Sequence, residues 1–267
     1  MAAIRTYMRQ LFKVVAERGY WLRPLGQLDD YIMWLVRTRN IYSYDHTDPK
    51  VLIIAGFHGE EVGGPWSILK WLKEADSKVF EKYDISLIPI VNSYGFARNK
   101  RYGSSGMKTN AGFVHTGQEH ETAKDDVLSP EGEILTRNID ILRPLAQDGV
   151  LSMHEDNTCK EYYLYAYEHG KKPGKFTKKL LKELSKFFRK PYNGIAFVEP
   201  SNTGFGPPCV NGLVYNFRDT TFEDWMFHLG VPKVAVIETP GKYKLKRRVE
   251  AGGAMIQKFL SLVKNGA

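Results

Sequence analysis

Cysteine is nearly absent from this sequence: 267 residues contain only Cys159 and Cys209. Two thiols without CxxC spacing give no basis for a disulfide framework, and both are expected to be free, as in a reducing compartment. No apolar run approaches the length needed to span a bilayer. The stretch Met1–Gln10 is interrupted by Arg5 and Arg9 and lacks the continuous apolar segment of a secretory signal, so a cytoplasmic location is the default expectation. Internal repeats and low-complexity linkers are missing too, and no boundary stands out, which leaves one domain over residues 1–267. No nucleic-acid motif accompanies the basic charge, so no nucleic-acid partner is expected. The oligomeric state is not legible.

What is present is the composition of a globular enzyme, 43% hydrophobic and 25% charged, with 24 glycines and 13 prolines. The formal charge of +8 suggests attraction to something anionic: a membrane surface, an acidic substrate or a cell-wall polymer. Ile4, Met8, Leu11, Phe12 and Val15 recur at helical spacing, with Gly19 as a stop, and a second amphipathic piece covers Leu28–Val36. Buried strands are expected at Val51–Phe57, Ile85–Val91, Gly149–Met153 and Lys233–Ile237. Helices are expected at Pro65–Lys73, Pro130–Leu142, Lys175–Arg189 and Val249–Val263. Strands alternating with helices predict an α/β fold with a mainly parallel central sheet. The long polar, glycine-rich section Ser93–Ser129 reads as a functional or disordered loop.

In such sheets ligands bind at the carboxyl ends of the strands. Three of the expected strands deliver His58-Gly-Glu-Glu61, His154-Glu155-Asp156 and Glu238. Ionisable residues directly after buried apolar runs are costly unless paired or metal-bound. His58, Glu61 and His154 would supply two imidazoles and a carboxylate, leaving a fourth position on a catalytic zinc. Glu238, outside that set, would serve as general base. Each signal is weak alone; their joint placement at strand ends carries the expectation.

His58-Gly-Glu-Glu61, then Asn92, Arg101, Asn110, His154 and Glu238-Thr-Pro240 resemble, in that order, the carboxypeptidase A-like zinc metallopeptidases and the related aspartoacylase–succinylglutamate desuccinylase branch. The resemblance covers roughly Val51 to Pro240, and Asp224-Trp225 and Gly230 before Glu238 support the register. It implies a mixed, mainly parallel sheet flanked by helices, one zinc per chain on His58, Glu61 and His154, and Glu238 as catalytic base. Arg101, with Arg98 as alternative, would polarise the scissile carbonyl. Asn110 would help hold the substrate carboxylate, Tyr215 lies within one residue of a mobile substrate-covering tyrosine, and Glu223 falls at the floor of the specificity pocket.

One departure is chemical. Where the family has Asn-Arg this chain has Asn110-Ala111, which removes the bidentate clamp on a terminal carboxylate. The expected activity is hydrolysis of an amide in a peptide or peptide-like substrate, a cell-wall peptide included. The alternatives are an N-acyl amino acid deacylase and a non-catalytic module holding an anionic partner. Val114–Glu121 forms a second His/Glu-rich patch, read as a polar loop; the lysine-dense Lys171–Lys190 is read as an amphipathic surface helix, and Asn202–Pro208 as a turn.

Overall fold

The computed structural model describes residues 2–39, 48–114, 127–196 and 206–264. The chain opens with helix α1 (Ala2–Arg18), ended at Gly19 in a left-handed conformation. Strands β1 (Trp21–Leu28) and β2 (Tyr31–Arg37) follow as an antiparallel hairpin. The amphipathic piece at Leu28–Val36 is therefore the hairpin turn and second strand. Asp29 takes a positive φ of 51° at the turn, which Asp tolerates, and Met33 and Leu35 alternate inward from Ile32 and Trp34.

Next come β3 (Lys50–Ala55), α2 (Gly63–Glu74), the short α3 (Ser77–Phe80), β4 (Asp84–Ile88) and α4 (Ser93–Arg98). The stretch expected as one helix over Pro130–Leu142 divides into α5 (Pro130–Arg137) and α6 (Ile139–Leu145). Asn138 makes the break, its side chain donating to Leu25 O and Ile134 O at 2.9 and 2.8 Å. Then follow β5 (Gly149–Asp156), β6 (Tyr163–Glu168), α7 (Lys175–Leu184), the two-residue β7 (Gly194–Ile195) and β8 (Pro208–Cys209), β9 (Leu213–Tyr215), α8 (Phe222–His228), β10 (Lys233–Pro240) and α9 (Leu245–Lys264).

Eight strands form one mixed sheet in the order β1-β2-β4-β3-β5-β10-β6-β9. Its centre, β4-β3-β5-β10, is parallel, while β2 and β6 flank it antiparallel. Successive side chains alternate between two apolar layers. Ile53, Ala55, Leu151, Met153, Ala235 and Ile237 face α1, α2, α7 and α9; Leu52, Ile54, Val150, Val234 and Val236 face α5, α6 and α8. The strands that carry the chemistry are neighbours, so β3, β5 and β10 deliver their ends to one place.

The apolar face of α7 is consumed by this packing: Phe176, Leu180 and Leu184 are buried, while Lys175, Lys178, Lys179 and Lys182 are exposed. No helix among the described residues is long and apolar enough to cross a membrane. Both cysteines are free, and burial pushes the Cys209 thiol up to about 11. Residues 115–121 of the second His/Glu patch and 202–205 of the predicted turn lie outside the described residues.

Candidate metal centre

Strand β3 ends at Ala55, and the chain turns through Gly56, at φ +69°, into Phe57 and His58. The Glu61 amide donates to His58 O at 3.2 Å, a tight turn that sends both side chains the same way. Gly59 lets this turn lie flat on the next loop: an added Cβ would stand 2.1 Å from Gly95 C and 2.3 Å from Phe96 N, both backbone atoms. The Gly59 amide donates to Arg101 O at 3.2 Å, and Asn92 Nδ2 donates to the same carbonyl at 2.9 Å. Arg101 thus reaches the site through backbone contacts that a methyl group would break. Gly59→Ala is expected to cost about 1–3 kcal/mol or more through overpacking, seen as a lowered Tm together with reduced metal content. An alanine variant matching wild type in both would contradict this packing account.

The second imidazole comes from within β5. Both β5 and β10 run three residues further than their apolar runs suggested, because His154 pairs with Glu238 and Asp156 with Pro240 across the parallel ladder. His154 and Glu238 therefore project from adjacent strands on the same sheet face. The ring of His154 stacks on Phe57, with centroids 5.7 Å apart and planes 10° apart.

These elements bring together His58, Glu61 and His154, whose donor atoms all lie within 4.8 Å of one another. Glu61 Oε1 is 2.6 Å from His58 Nδ1, and Oε2 is 3.1 Å from His154 Nδ1. Oε2 also accepts from the Glu155 amide at 3.1 Å. Burial works to raise the Glu61 carboxyl, but the two imidazoles overcome it and hold it well below the usual carboxylate range. Burial would lower His154; Glu61 and Glu223 outweigh it and push that imidazole well above the usual histidine value. Two nitrogens and one buried carboxylate oxygen, converging at one point, fit a divalent cation of the zinc type.

Arg101 stands beside this set, Nη1 lying 3.1 Å from both Glu60 Oε1 and Glu61 Oε1. Glu60 as an anchor for Arg101 was not anticipated, although the doubled acid of His58-Gly-Glu-Glu61 was a visible signal. Glu238 is only partly open to solvent. Burial pushes its carboxyl well above the ordinary range; His154 opposes this, while Glu61 and Asp156 add to it. On the opposite sheet face the Glu155 carboxylate accepts from the Gly63 amide at 2.8 Å and pairs with Arg248 at 2.5 Å, tying the start of α2 to the end of β5.

Four other expected site residues meet different surroundings. Arg98 is exposed; its guanidinium stacks on Tyr94 at 3.8 Å and donates to the Tyr31 hydroxyl at 3.0 Å. That ties it to the start of β2. The Tyr215 hydroxyl sits among the carbonyls of Gly170 and Lys172 at 3.1 and 3.0 Å, where it ties down the turn after β6. Glu223 is not at the floor of an open pocket: it is 0% exposed and faces His154. Burial works to raise its carboxyl, and His154, Ser152 and Asn110 together hold it below the usual range. Asn110 donates to Glu223 at 2.9 Å, so its amide is directed to that carboxylate.

Beyond Glu223 lies a second acidic pair. Asp219 accepts from the Thr221 amide and hydroxyl, and Asp224 accepts from the Asp219 amide. Burial pushes both carboxyls up to about 7. An unfolded aspartate titrates near 3.9, so between pH about 4 and 7 the folded chain binds more protons than the unfolded one. Stability contributed by these groups therefore falls as pH rises through that window and levels above it. Metal-free protein is expected to lose Tm from pH 5 to pH 8, and Asp219→Asn to flatten that slope. An unchanged slope in the variant would remove Asp219 from the account.

Residues 47–181 match the succinylglutamate desuccinylase/aspartoacylase catalytic domain. No curated protein matches the sequence. Among solved structures, a candidate metallopeptidase from Shewanella baltica OS155 is 32% identical, with 97% of this chain and 92% of that one covered and a TM-score of 0.86. A second, from Shewanella amazonensis SB2B, is 30% identical over 98% and 93% of the two chains, also at 0.86. A metallo-carboxypeptidase from Burkholderia cenocepacia shares the fold at 16% identity, a TM-score of 0.68 and coverage of 97% and 68%. Kinship and convergent donors together make this chain a member of the zinc carboxypeptidase/aspartoacylase–succinylglutamate desuccinylase superfamily, a metal-dependent hydrolase with a candidate His-Glu-His metal site.

Proposed function

We propose that this protein is a zinc hydrolase that cleaves an amide bond in a peptide or peptide-like substrate. The observation that carries this is the convergence of His58, Glu61 and His154 beside a carboxylate, Glu238, paired with His154 across the sheet. A zinc ion held by the three donors would supply Lewis acidity. Glu238 then takes a proton from the attacking water as its oxygen bonds to the amide carbon. Arg101, fixed by Glu60 and Glu61, directs its guanidinium at the negative charge growing on the carbonyl oxygen. As the C–N bond breaks, Glu238 returns the proton to the leaving nitrogen, giving a carboxylic acid and an amine.

Substrate choice follows from what the site lacks. Ala111 is buried and offers no donor, so no arginine at that position grips a terminal carboxylate. The family match favours a second reading, hydrolysis of an N-acyl amino acid. Assay of zinc-loaded protein on peptides with free and amidated C-termini, muropeptides and N-acyl amino acids separates the two. Turnover of either peptide class supports the first reading, and turnover of N-acyl amino acids alone the second. Zinc-loaded protein inert on all of them, yet binding polyanions in a salt-sensitive way, would favour the non-catalytic module.

A further inference from the structure

His154 Nε2 and Glu223 Oε1 lie 3.5 Å apart, and neither atom has any other hydrogen-bond partner. His154 is 4% exposed and Glu223 0%, so no bulk water serves them. Orphaned buried polar atoms are uncommon and costly; here the two face each other and need only a small approach to satisfy both, and the Ser152 hydroxyl, unpaired as well, also acts on the Glu223 carboxyl. The separation is at the outer limit of a hydrogen bond, as is frequent in unliganded sites that tighten on binding.

The other oxygen of Glu223 is pinned by a chain of fixed polarity. The Phe222 amide, at the start of α8, can only donate, and it donates to Asn110 Oδ1 at 2.9 Å. That orients the Asn110 amide without ambiguity, and its Nδ2 donates to Glu223 Oε2 at 2.9 Å. Asn110 and α8 therefore aim Glu223 Oε1 at the imidazole. An acceptor there requires the proton on Nε2, so the neutral ring that would bind a metal carries its lone pair on Nδ1, the nitrogen that faces Glu61 at 3.1 Å.

From this geometry we infer that Glu223, held by Asn110, is a positioning residue that sets the tautomer and orientation of His154 for metal binding. The inference rests on His154 being a metal ligand. It assigns Asn110 and Glu223 to supporting the metal and leaves recognition of the substrate to other residues. A carboxylate behind a ligating imidazole raises its basicity and fixes its ring, and loss of such a partner weakens metal affinity by about 10–100-fold.

Glu223→Gln tests the polarity of the chain with almost no change of volume. If the glutamine oxygen accepts from Asn110, its amide NH2 confronts His154 Nε2 and favours the tautomer with the proton on Nδ1, where the metal would bind. Reversed, it confronts the Asn110 NH2. Zinc affinity of the folded variant, measured by chelator competition, is expected to fall about 10–100-fold, about 1.4–2.7 kcal/mol. Glu223→Asp, which keeps the charge, is expected to recover part of the affinity.

A folded Glu223→Gln protein that binds zinc as tightly as wild type overturns the inference and leaves the metal site standing. A lowered metal-free Tm with unaltered affinity also overturns it, since that is the signature of a structural role alone. Wild type that takes up no zinc overturns both this inference and the reading it rests on. If Glu223→Gln does not fold, Asn110→Ala decides: a smaller loss of zinc affinity supports the chain, and unchanged affinity overturns it.

Discussion

Replacing His154 by alanine is expected to strip the protein of metal and abolish turnover. Wild type purified without added metal should carry about one zinc per chain, because only one cluster of convergent donors occurs among the described residues. Alanine removes one of three ligands and also takes the imidazole from between Glu61 and Glu223, two carboxylates that are 3% and 0% exposed. Removing one member of a buried charged group costs about 3–5 kcal/mol, so the variant should be less stable even without metal. His58→Ala, at a half-buried position, should lose metal with a smaller loss of stability and serves as the companion. Metal content by elemental analysis, with the fold checked by circular dichroism, reads the result. Wild type that stays free of metal after reconstitution would reduce the kinship to one of fold.

The second large effect is expected from Glu238→Gln. The substitution keeps the size and position of the side chain but removes its ability to take a proton. General acid–base contributions of this kind are worth about 10²–10⁴ in rate, so kcat should fall by that factor while metal content stays at the wild-type level. Because burial pushes the Glu238 carboxyl upward, the rate should climb with pH as this group loses its proton. That limb of the profile should disappear in the variant. A glutamine enzyme with wild-type kcat would place the general base elsewhere.

Much of this site was legible in the linear order of residues. An apolar run such as Val51–Ala55 can only be stable inside a sheet, and polar residues after it must find partners at the sheet's edge. His58, Glu61, His154 and Glu238 all followed from that logic. Arg101 came from resemblance, and its anchor Glu60 stood one residue from a predicted ligand. The partners of Arg98 and Tyr215 could not be read from the sequence, because neither position is governed by periodicity. Arg98 lies at the end of the six-residue helix α4, and Tyr215 on the three-residue strand β9, where a shift of one residue reverses a side chain. The hairpin of β1 and β2 was missed for a related reason: Ile32 and Trp34 are apolar but partly exposed, which blurs the alternation.

Local sequence, then, determined the apolar strands, the amphipathic helices and the ionisable residues that end the central strands, because burial of alternating or 3.6-periodic apolar faces depends mainly on neighbours along the chain. Only the tertiary structure decided that β3, β5 and β10 lie side by side, that Gly59 meets the backbone of residues 95 and 96, and that Glu223 stands behind His154. Those contacts join residues from 36 to 98 positions apart in sequence. Their register is set by the packing of the whole sheet and its helices, and no local pattern encodes it.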